Sequence, residues 1–245
     1  TTFLLPPTDP SADYRVRIFT PSREIPFAGH PSVGSAHAAI EAGVVQLRGE
    51  RLVQECDAGL LPVRVVGSGQ DRRISVEAPR SRTLSTGLDA SPLLRGILAN
   101  VRLGTLPPAL VEGGRRWWLA EFGSEEALRG WHPDHARILA LAQSSDTLGL
   151  CAFARSHSDD YELVVRAFPA GAGIVEDPAS GAANGLIAGY LHQQQPDGPW
   201  AAGYRVSQGR EIGHDARLDV DVAGNGLAWV GGTTVTVIDG HVAWP

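Results

Sequence analysis

The stretch VEDPASGAANGLIAGYL, residues 175–191, places an Asp and a Pro directly before a run of small residues with helical spacing. A similar stretch, FAGHPSVGSAHAAIEAG, occupies residues 27–43 and carries a His where the first has the Asp. Pro at the first helical position and Gly after the last are typical helix boundaries. The sequence therefore predicts one helix that opens at Pro31 and closes at Gly43, and another that opens at Pro178.

The two stretches are related by a shift of 147 residues, which places His30 on Asp177. A strand-like segment precedes each stretch, and each of these segments has an Arg two residues before a Phe, namely Arg17 and Arg166. The same shift also matches several residues of the small-residue runs: Pro31 with Pro178, Gly34 with Gly181, Ala36 with Ala183, His37 with Asn184 and Ile40 with Ile187. This repeated order of strand, loop and helix predicts a duplicated α/β unit.

Strand-like segments with alternating or β-branched character dominate the rest of the chain. They are residues 14–20, 61–67, 72–78, 116–122, 161–168, 216–222 and 233–244. Asp239-Gly240 is a hairpin signal inside the last of them. An amphipathic pattern predicts a third helix at 133–143. Pro and Gly cluster at 103–114, which places the predicted domain boundary between residues 104 and 105: domains 1–104 and 105–245, with a last strand that returns to the first domain.

Composition excludes several classes of protein. The net charge of −6 argues against binding to nucleic acid or to an anionic membrane surface. No apolar run approaches the roughly 18 residues of a spanning helix. All basic residues are Arg, so Schiff-base chemistry and a P-loop lysine are excluded. Cys56 and Cys151 form neither a disulfide framework nor a metal-ligand spacing. These features predict a cytoplasmic protein without a metal.

The small residues of both stretches suggest how a site is built. They allow a helix to lie deep inside a sheet, so that its free N–H groups and positive dipole end face a cleft. Such an end binds anions. Two facing ends would hold a small carboxylate-bearing molecule between His30 and Asp177. Asp177 also suits a purely structural N-cap, whereas His30 is a poor cap residue. Glu176 is either a second acid or an ion-pair partner.

Four segments resemble the motifs of the PhzF-type, phenazine-biosynthesis-like isomerases, whose fold is related to diaminopimelate epimerase. They are RIFTPSREIPFAGHPSVGSA (17–36), GIVEDPASGAANG (173–185), SQGREIG (207–213) and VGGTTVTVIDG (230–240). The resemblance runs from Thr1 to the C-terminus. It implies an α/β (α+β) fold of two similar domains related by a pseudo-twofold axis, each a curved, mostly antiparallel sheet around a central helix. It also implies a site between the domains, no cofactor, a role in secondary metabolism and a homodimer.

The resemblance also implies roles for individual residues. His30 and Asp177 match the site histidine and aspartate of the family. Cysteine racemases of this fold carry their two thiols at the positions of Gly29 and Asp177, whereas Cys56 and Cys151 fall elsewhere, which excludes a cysteine-pair racemase. The residues expected to bind a small anionic metabolite flank the two site residues: Gly29, Pro31, Ser32, Ser180, Gly181 and Ala182.

The chain departs from the family pattern at three places. Ala182 stands where the family usually has Ser, and His214 with Asp215 replaces Arg-Pro. The family's acid/base Glu lies in an S-E-T-x-F stretch, and TTFLLPP resembles the segment directly after that Glu. By the length of the pattern, about 45 residues of the first domain would precede Thr1.

Three functions are compatible with these departures. In the first, the N-terminal segment belongs to the same polypeptide or is bound separately, and the protein is an isomerase or epimerase that shuttles a proton. In the second, self-cleavage before Thr1 leaves an α-amine beside a hydroxyl, and Thr1 becomes the nucleophile of an amide or ester hydrolase. In the third, the protein binds a small molecule without turning it over. Isomerase chemistry is the leading hypothesis.

Overall fold

The computed structural model describes residues 1–20, 23–47 and 49–243. The chain divides into a first unit, Thr1–Val76 with Gly231–Pro245, and a second unit, Glu77–Val230. This boundary differs from the expected one between residues 104 and 105. The Pro/Gly-rich segment 103–114 lies within the second unit, because Gly104 N–H donates to the Glu121 carbonyl at 2.8 Å and β-bridge geometry joins Leu103 to Phe122.

The first unit is a mixed sheet with one long helix. Its elements are β1 (Thr2–Leu5), β2 (Tyr14–Phe19), β3 (Glu24–Ile25), α1 (Gly29–Glu41), β4 (Arg51–Cys56), β5 (Gly59–Val66) and β6 (Arg73–Glu77). β2 pairs antiparallel with β1 and β3 and parallel with β4, and the β4–β5–β6 meander continues the sheet antiparallel. The apolar face of α1 (Val33, Ala36 and Ala39) packs with buried residues of β2, β4, β5 and β6 to form the core of this unit.

The second unit is a larger sheet around a more deeply buried helix. Its elements are β7 (Arg82–Thr86), α2 (Pro92–Ile97), β8 (Ala109–Gly113), β9 (Arg115–Phe122), α3 (Glu125–Arg129), α4 (His135–Ser145), β10 (Leu150–Arg155), β11 (Leu163–Phe168), α5 (Gly181–Gln194), β12 (Gly203–Gln208) and β13 (Ala216–Val222); β14 (Ala228–Thr233) starts here and ends in the first unit. β7 to β13 are in sequence order across the sheet, with parallel pairs only at β9–β10 and β11–β12.

α5 is the centre of the second unit. Every residue from Ala183 to Leu191 is buried, and the helix shares one core with β8 through β13. Gly185 and Gly189 allow this close packing, because a Cβ on either would meet the side chain of Ala78 or Ser81 at under 3 Å. A second core, between the other face of the sheet and α2, α3 and α4, closes the outer side. A helix surrounded by a curved sheet is the predicted architecture.

The predicted repeat is present as a repeated order of elements. In the first unit the order is β2, the two-residue strand β3, α1 and β4, and in the second unit it is β11, α5 and β12. β2 pairs parallel with β4, as β11 does with β12. The helix starts differ from expectation. α1 begins at Gly29, two residues before Pro31, and α5 begins at Gly181, three residues after Pro178.

The C-terminal segment differs most from its prediction. The alternating pattern at 233–244 predicts a strand with a hairpin turn at Asp239-Gly240, but β14 ends at Thr233 and residues 234–243 form no strand; Trp244 lies outside the described residues. Pattern alone does not form a strand where no neighbouring strand supplies hydrogen bonds. None of the helices in the described ranges has the length and apolar character needed to cross a bilayer.

Candidate active site

Asp177 occupies the loop between β11 and α5 in the second unit. Its N–H donates to the Ala167 carbonyl at 2.9 Å, an isolated antiparallel bridge to the end of β11. Its carboxylate Oδ1 accepts from the Ala179 N–H at 3.1 Å, which closes a tight Asx turn. The side chain is half-buried. The backbone N–H of Asp177 and its carboxylate Oδ1 are therefore both engaged in hydrogen bonds.

The N-cap of α5 is Ser180, and the alternative of Asp177 as the helix cap is wrong. Ser180 has extended backbone angles, and its hydroxyl accepts from the Ala183 N–H at 3.4 Å. Asp177 lies three residues before that cap. Because Ser180 already performs the capping, the helix does not need the carboxylate of Asp177 for its own start, and a structural cap does not explain Asp177.

A buried ion pair fixes the residue before Asp177. Arg166 Nε and Nη2 each donate to a Glu176 carboxylate oxygen at 2.9 Å, and both side chains are more than nine-tenths buried. Arg166 Nη1 also donates to the carbonyls of Leu128 and Trp131, at 3.2 and 2.6 Å. Glu176 is therefore an ion-pair partner rather than a second acid, and the pair ties the loop to β11, to α3 and to Trp131 just after α3.

Two polar side chains behind the loop were not predicted from the sequence. Gln208, at the end of β12, and Asn184, in the second turn of α5, are fully buried. The two are joined by a hydrogen bond of 2.9 Å from Asn184 Nδ2 to Gln208 Oε1. One sequence signal was available: Gly209 in SQGREIG (207–213) marks the end of a strand, which makes Gln208 its last residue.

Gly209 allows the strand end to approach the loop. Its φ of +86° lies in the left-handed region, and a Cβ there would meet the Pro178 carbonyl oxygen at 2.7 Å and the Pro178 Cα at 3.0 Å. Both contacts are with backbone, which cannot rotate away. Glycine is therefore required here for close approach to the loop as well as for backbone conformation.

We expect Gly209→Ala to destabilise the second unit by more than about 1 kcal/mol, since the left-handed conformation alone disfavours Ala by that order. The clash with Pro178 adds to this. Gly213→Ala is the matched control, because Gly213 has a similar φ of +80° and open space around its Cβ position. Urea unfolding measures both variants. Equal losses of stability in the two would show that the contact with Pro178 contributes nothing.

The first turn of α5 begins with two residues that were expected to bind a ligand, Gly181 and Ala182. Gly181 and Ala182 are half-buried at the helix start, and helix geometry leaves their N–H groups without acceptors inside the helix. The positive end of the dipole lies at the same point. Ala182 has a methyl group where the family pattern has a hydroxyl, so this position supplies a backbone N–H but no side-chain hydrogen-bonding group.

Cys151 supports the exclusion of thiol chemistry. It lies on β10, pairs with Ala167 of β11 and is fully buried. Burial raises the pKa of its thiol far above the usual range, and the nearby Asp177 carboxylate raises that pKa further. The thiol therefore remains protonated and unreactive. Cys56 is also buried, and it belongs to the first unit.

His30 lies in the first turn of α1 in the first unit, and its side chain is exposed. Gly29 and Pro31 beside it are half-buried. Ser32 is fully buried, and its hydroxyl accepts from Gln54 Nε2 at 3.0 Å, so the contact that it can offer a ligand is limited by this bond. The residue before the helix, Ala28, has extended backbone angles and provides no side-chain cap.

Thr1 is an ordered part of the first unit. Its α-ammonium group donates to the Phe19 carbonyl at 3.0 Å, and the Phe19 N–H donates to the Thr1 carbonyl at 2.8 Å. These two bonds extend the antiparallel pairing of β1 with β2 by one residue. One N–H of the ammonium group is thus engaged by a backbone carbonyl. The role of Thr1 as a nucleophile stays a prediction.

The replacements at His214 and Asp215 lie at the exposed start of β13. Asp215 pairs with Arg217 at 2.6 Å and with Arg210 at 3.3 Å, and the hydrogen bond from Arg217 holds the pKa of Asp215 below its usual value. The His214 N–H donates to the Gly209 carbonyl at 2.9 Å. Across the described ranges no three His, Cys, Asp or Glu side chains are grouped as a metal site would require.

Comparison with known proteins identifies the family. A family model described as "Phenazine biosynthesis-like protein" matches residues 1–240. The chain belongs to this family. It is 32% identical over 247 residues to the trans-2,3-dihydro-3-hydroxyanthranilate isomerase of Pseudomonas aeruginosa, a match that covers 94% of this chain and 82% of that enzyme. It is also 32% identical to "Antisense-enhancing sequence 1" of Schizosaccharomyces pombe, with 98% of this chain and 83% of that protein covered.

Solved structures agree with this assignment. A predicted epimerase of Pseudomonas aeruginosa superposes with a TM-score of 0.72 at 27% identity, covering 95% of this chain and 79% of its own. The recognised family and the α/β fold of the diaminopimelate epimerase type are thus confirmed. Relatives with an assigned reaction in this family are isomerases, so the chain is an enzyme of the PhzF-type isomerase kind.

Proposed function

We propose that this protein is a cofactor-independent isomerase that moves a proton between carbons of a small carboxylate-bearing metabolite. Asp177 and His30 are the residues assigned to the proton transfer. The substrate carboxylate binds at the first turn of α5. As a concrete substrate we take trans-2,3-dihydro-3-hydroxyanthranilate, the compound named for the Pseudomonas aeruginosa relative and called the test substrate below.

The environment of Asp177 is the observation that carries this proposal. Its side chain is half-buried, and its carboxylate accepts a hydrogen bond from the Ala179 N–H. The adjacent Glu176, in contrast, is ion-paired with Arg166. Its second carboxylate oxygen has no role in the Asx turn. A carboxyl group fixed in this way, next to a helix start, is placed to exchange a proton with a bound molecule.

The start of α5 supplies the complementary binding force. The N–H groups of Gly181 and Ala182 at the start of α5 attract the carboxylate of the substrate. The same groups stabilise negative charge that develops when a carbon loses its proton. Arginine side chains near the loop are engaged in ion pairs, so the backbone provides this stabilisation.

The reaction itself needs no oxidant or reductant. A base removes a proton from one carbon, the double bonds shift, and an acid returns a proton to another carbon. Asp177 and His30 serve as the acid and base of these two steps. A histidine ring can serve in either step, because one of its nitrogens can accept a proton while the other carries one.

The proposal is tested by incubating the purified full chain with the test substrate in D2O, without added metal or cofactor. We expect conversion to an isomer of the same mass plus one carbon-bound deuterium, observed by NMR and mass spectrometry. An unchanged substrate that nevertheless binds in calorimetry would favour a binding protein. Hydrolysis of an amide or ester analogue of the test substrate, incubated in the same way, would favour the Thr1 hydrolase.

A further inference from the structure

We propose that Gln208 is a positioning residue for Asp177, a role that rests on the proposed function. The side chain of Gln208 is fully buried and contacts both ends of the loop that carries Asp177. Its Nε2 donates to the Asp177 carbonyl at 2.7 Å, and its Oε1 accepts from the Ser180 N–H at 3.3 Å. One amide group thus spans the turn from Asp177 to the N-cap of α5.

The orientation of this amide is fixed by its partners. The backbone carbonyl of Asp177 can only accept a hydrogen bond, and the backbone N–H of Ser180 can only donate one. A flipped amide would place the Gln208 NH2 group against the Ser180 N–H, two donors, and the Gln208 side-chain oxygen against the Asp177 carbonyl, two acceptors. The Asn184 amide, which donates to Gln208 Oε1 at 2.9 Å and to the Ser180 carbonyl at 2.8 Å, reinforces the same orientation.

Gln208 is itself rigidly held. It pairs with Val165 of β11 on one side and with Ala216 of β13 on the other, so its backbone lies inside the sheet. Besides Gln208, the residues around Asp177 reach the sheet through the bridge between Ala167 and Asp177 and through the ion pair of Glu176 with Arg166 on β11. Those two contacts are made at Glu176 and Asp177, whereas the amide of Gln208 also holds Ser180, at the other end of the turn.

The first unit contains a related arrangement. Gln54, on the strand that follows α1, is fully buried, donates to the Ser32 hydroxyl at 3.0 Å and accepts from the Tyr14 hydroxyl at 3.4 Å. In both units a buried glutamine on the strand after the central helix thus bonds to a serine near that helix's start. Only Gln208 also bonds to the backbone of a residue assigned to proton transfer.

The test compares Gln208→Leu with the wild-type chain in turnover of the test substrate. Leu has nearly the same volume but cannot hold Asp177, and a shift of about 1 Å in a reacting group lowers the rate about 100-fold. We expect kcat to fall by about that factor with KM within about threefold of wild type, since the anion-binding N–H groups remain. Gln208→Asn, whose amide is too short to span the turn, should lose kcat similarly and serves if the Leu variant does not fold.

The control separates positioning from a loss of stability. Val206→Ala alters a fully buried residue two positions earlier on β12 and touches the core rather than the loop. It should lower Tm while kcat stays within about twofold of wild type. Equal losses of kcat in Val206→Ala and Gln208→Leu, or a Gln208→Leu kcat within threefold of wild type, would overturn the positioning role.

Amide hydrogen exchange keeps this test independent of the substrate. Gln208→Leu should accelerate exchange at Asp177 and Ala179 about tenfold or more while β10 is unaffected. If the wild-type chain does not turn over the test substrate, the proposed function fails for that compound, and exchange alone decides whether Gln208 holds the loop. Unchanged exchange at Asp177 and Ala179 would contradict the inference.

Discussion

Asp177→Asn should lower the rate of proton exchange into the test substrate by about 100- to 10,000-fold, the usual contribution of a general acid or base. Asn keeps an Oδ1 that can accept from the Ala179 N–H, so the Asx turn survives. Ser180 continues to cap α5. We therefore expect Kd for the test substrate to change little, while deuterium incorporation measured by NMR nearly disappears.

The matched control for this variant is Asp146→Asn. Asp146 is exposed and follows α4 with a φ of 49°, a conformation that Asn adopts readily. It should retain the wild-type exchange rate. If Asp177→Asn retained it as well, Asp177 would have no part in proton transfer, and the loop around it would be purely structural.

Glu176→Ala should destabilise the second unit by about 3–5 kcal/mol, because it leaves the buried guanidinium of Arg166 without its carboxylate. Arg166 is 6% exposed, and its remaining hydrogen bonds go to two backbone carbonyls. Urea unfolding monitored by tryptophan fluorescence measures this loss. Replacing both partners, as in Arg166→Met with Glu176→Leu, should recover most of it, since no charge then remains buried.

The repeat provides the control for this ion pair. Arg17 corresponds to Arg166 and forms a similar two-bond pair with Glu24, at 2.8 and 2.7 Å, but on the exposed surface of the first unit. Hydrogen bonding from Arg17 lowers the pKa of Glu24, yet solvent screens an exposed pair of this kind. Glu24→Ala should therefore leave the unfolding midpoint unchanged. A similar loss of stability in Glu176→Ala and Glu24→Ala would mean that burial does not determine how much such an ion pair stabilises the fold.

Most of the fold was predictable because both central helices begin with runs of small residues, a composition typical of helices that pack closely against a sheet. The runs of Gly, Ala and Ser after His30 and Asp177 predicted helices enclosed by a sheet, and the repeat predicted two such units. The unit boundary was not predictable from the Pro and Gly at 103–114, because hydrogen bonds to Glu121 and Phe122 keep that segment inside the second unit.

The candidate site was predictable only in part. Asp177 and His30 stand out in the sequence, but the capping role of Ser180 and the burial of Glu176 depend on where the loop meets Arg166. Gln208 lies 31 residues from Asp177 in sequence, and only the parallel pairing of β11 with β12 brings it behind the loop. Contacts made across a sheet in this way leave no periodic signal in one sequence.

The central claim is that His30 and Asp177 act on one bound substrate. A crystal structure of the full chain with the test substrate, or with an unreactive analogue of it, tests this most directly. We expect both side chains to approach the reacting carbons or their protons to about 3 Å, with the ligand carboxylate on N–H groups at a helix start. A ligand bound elsewhere, or in contact with only one of the two residues, would contradict it.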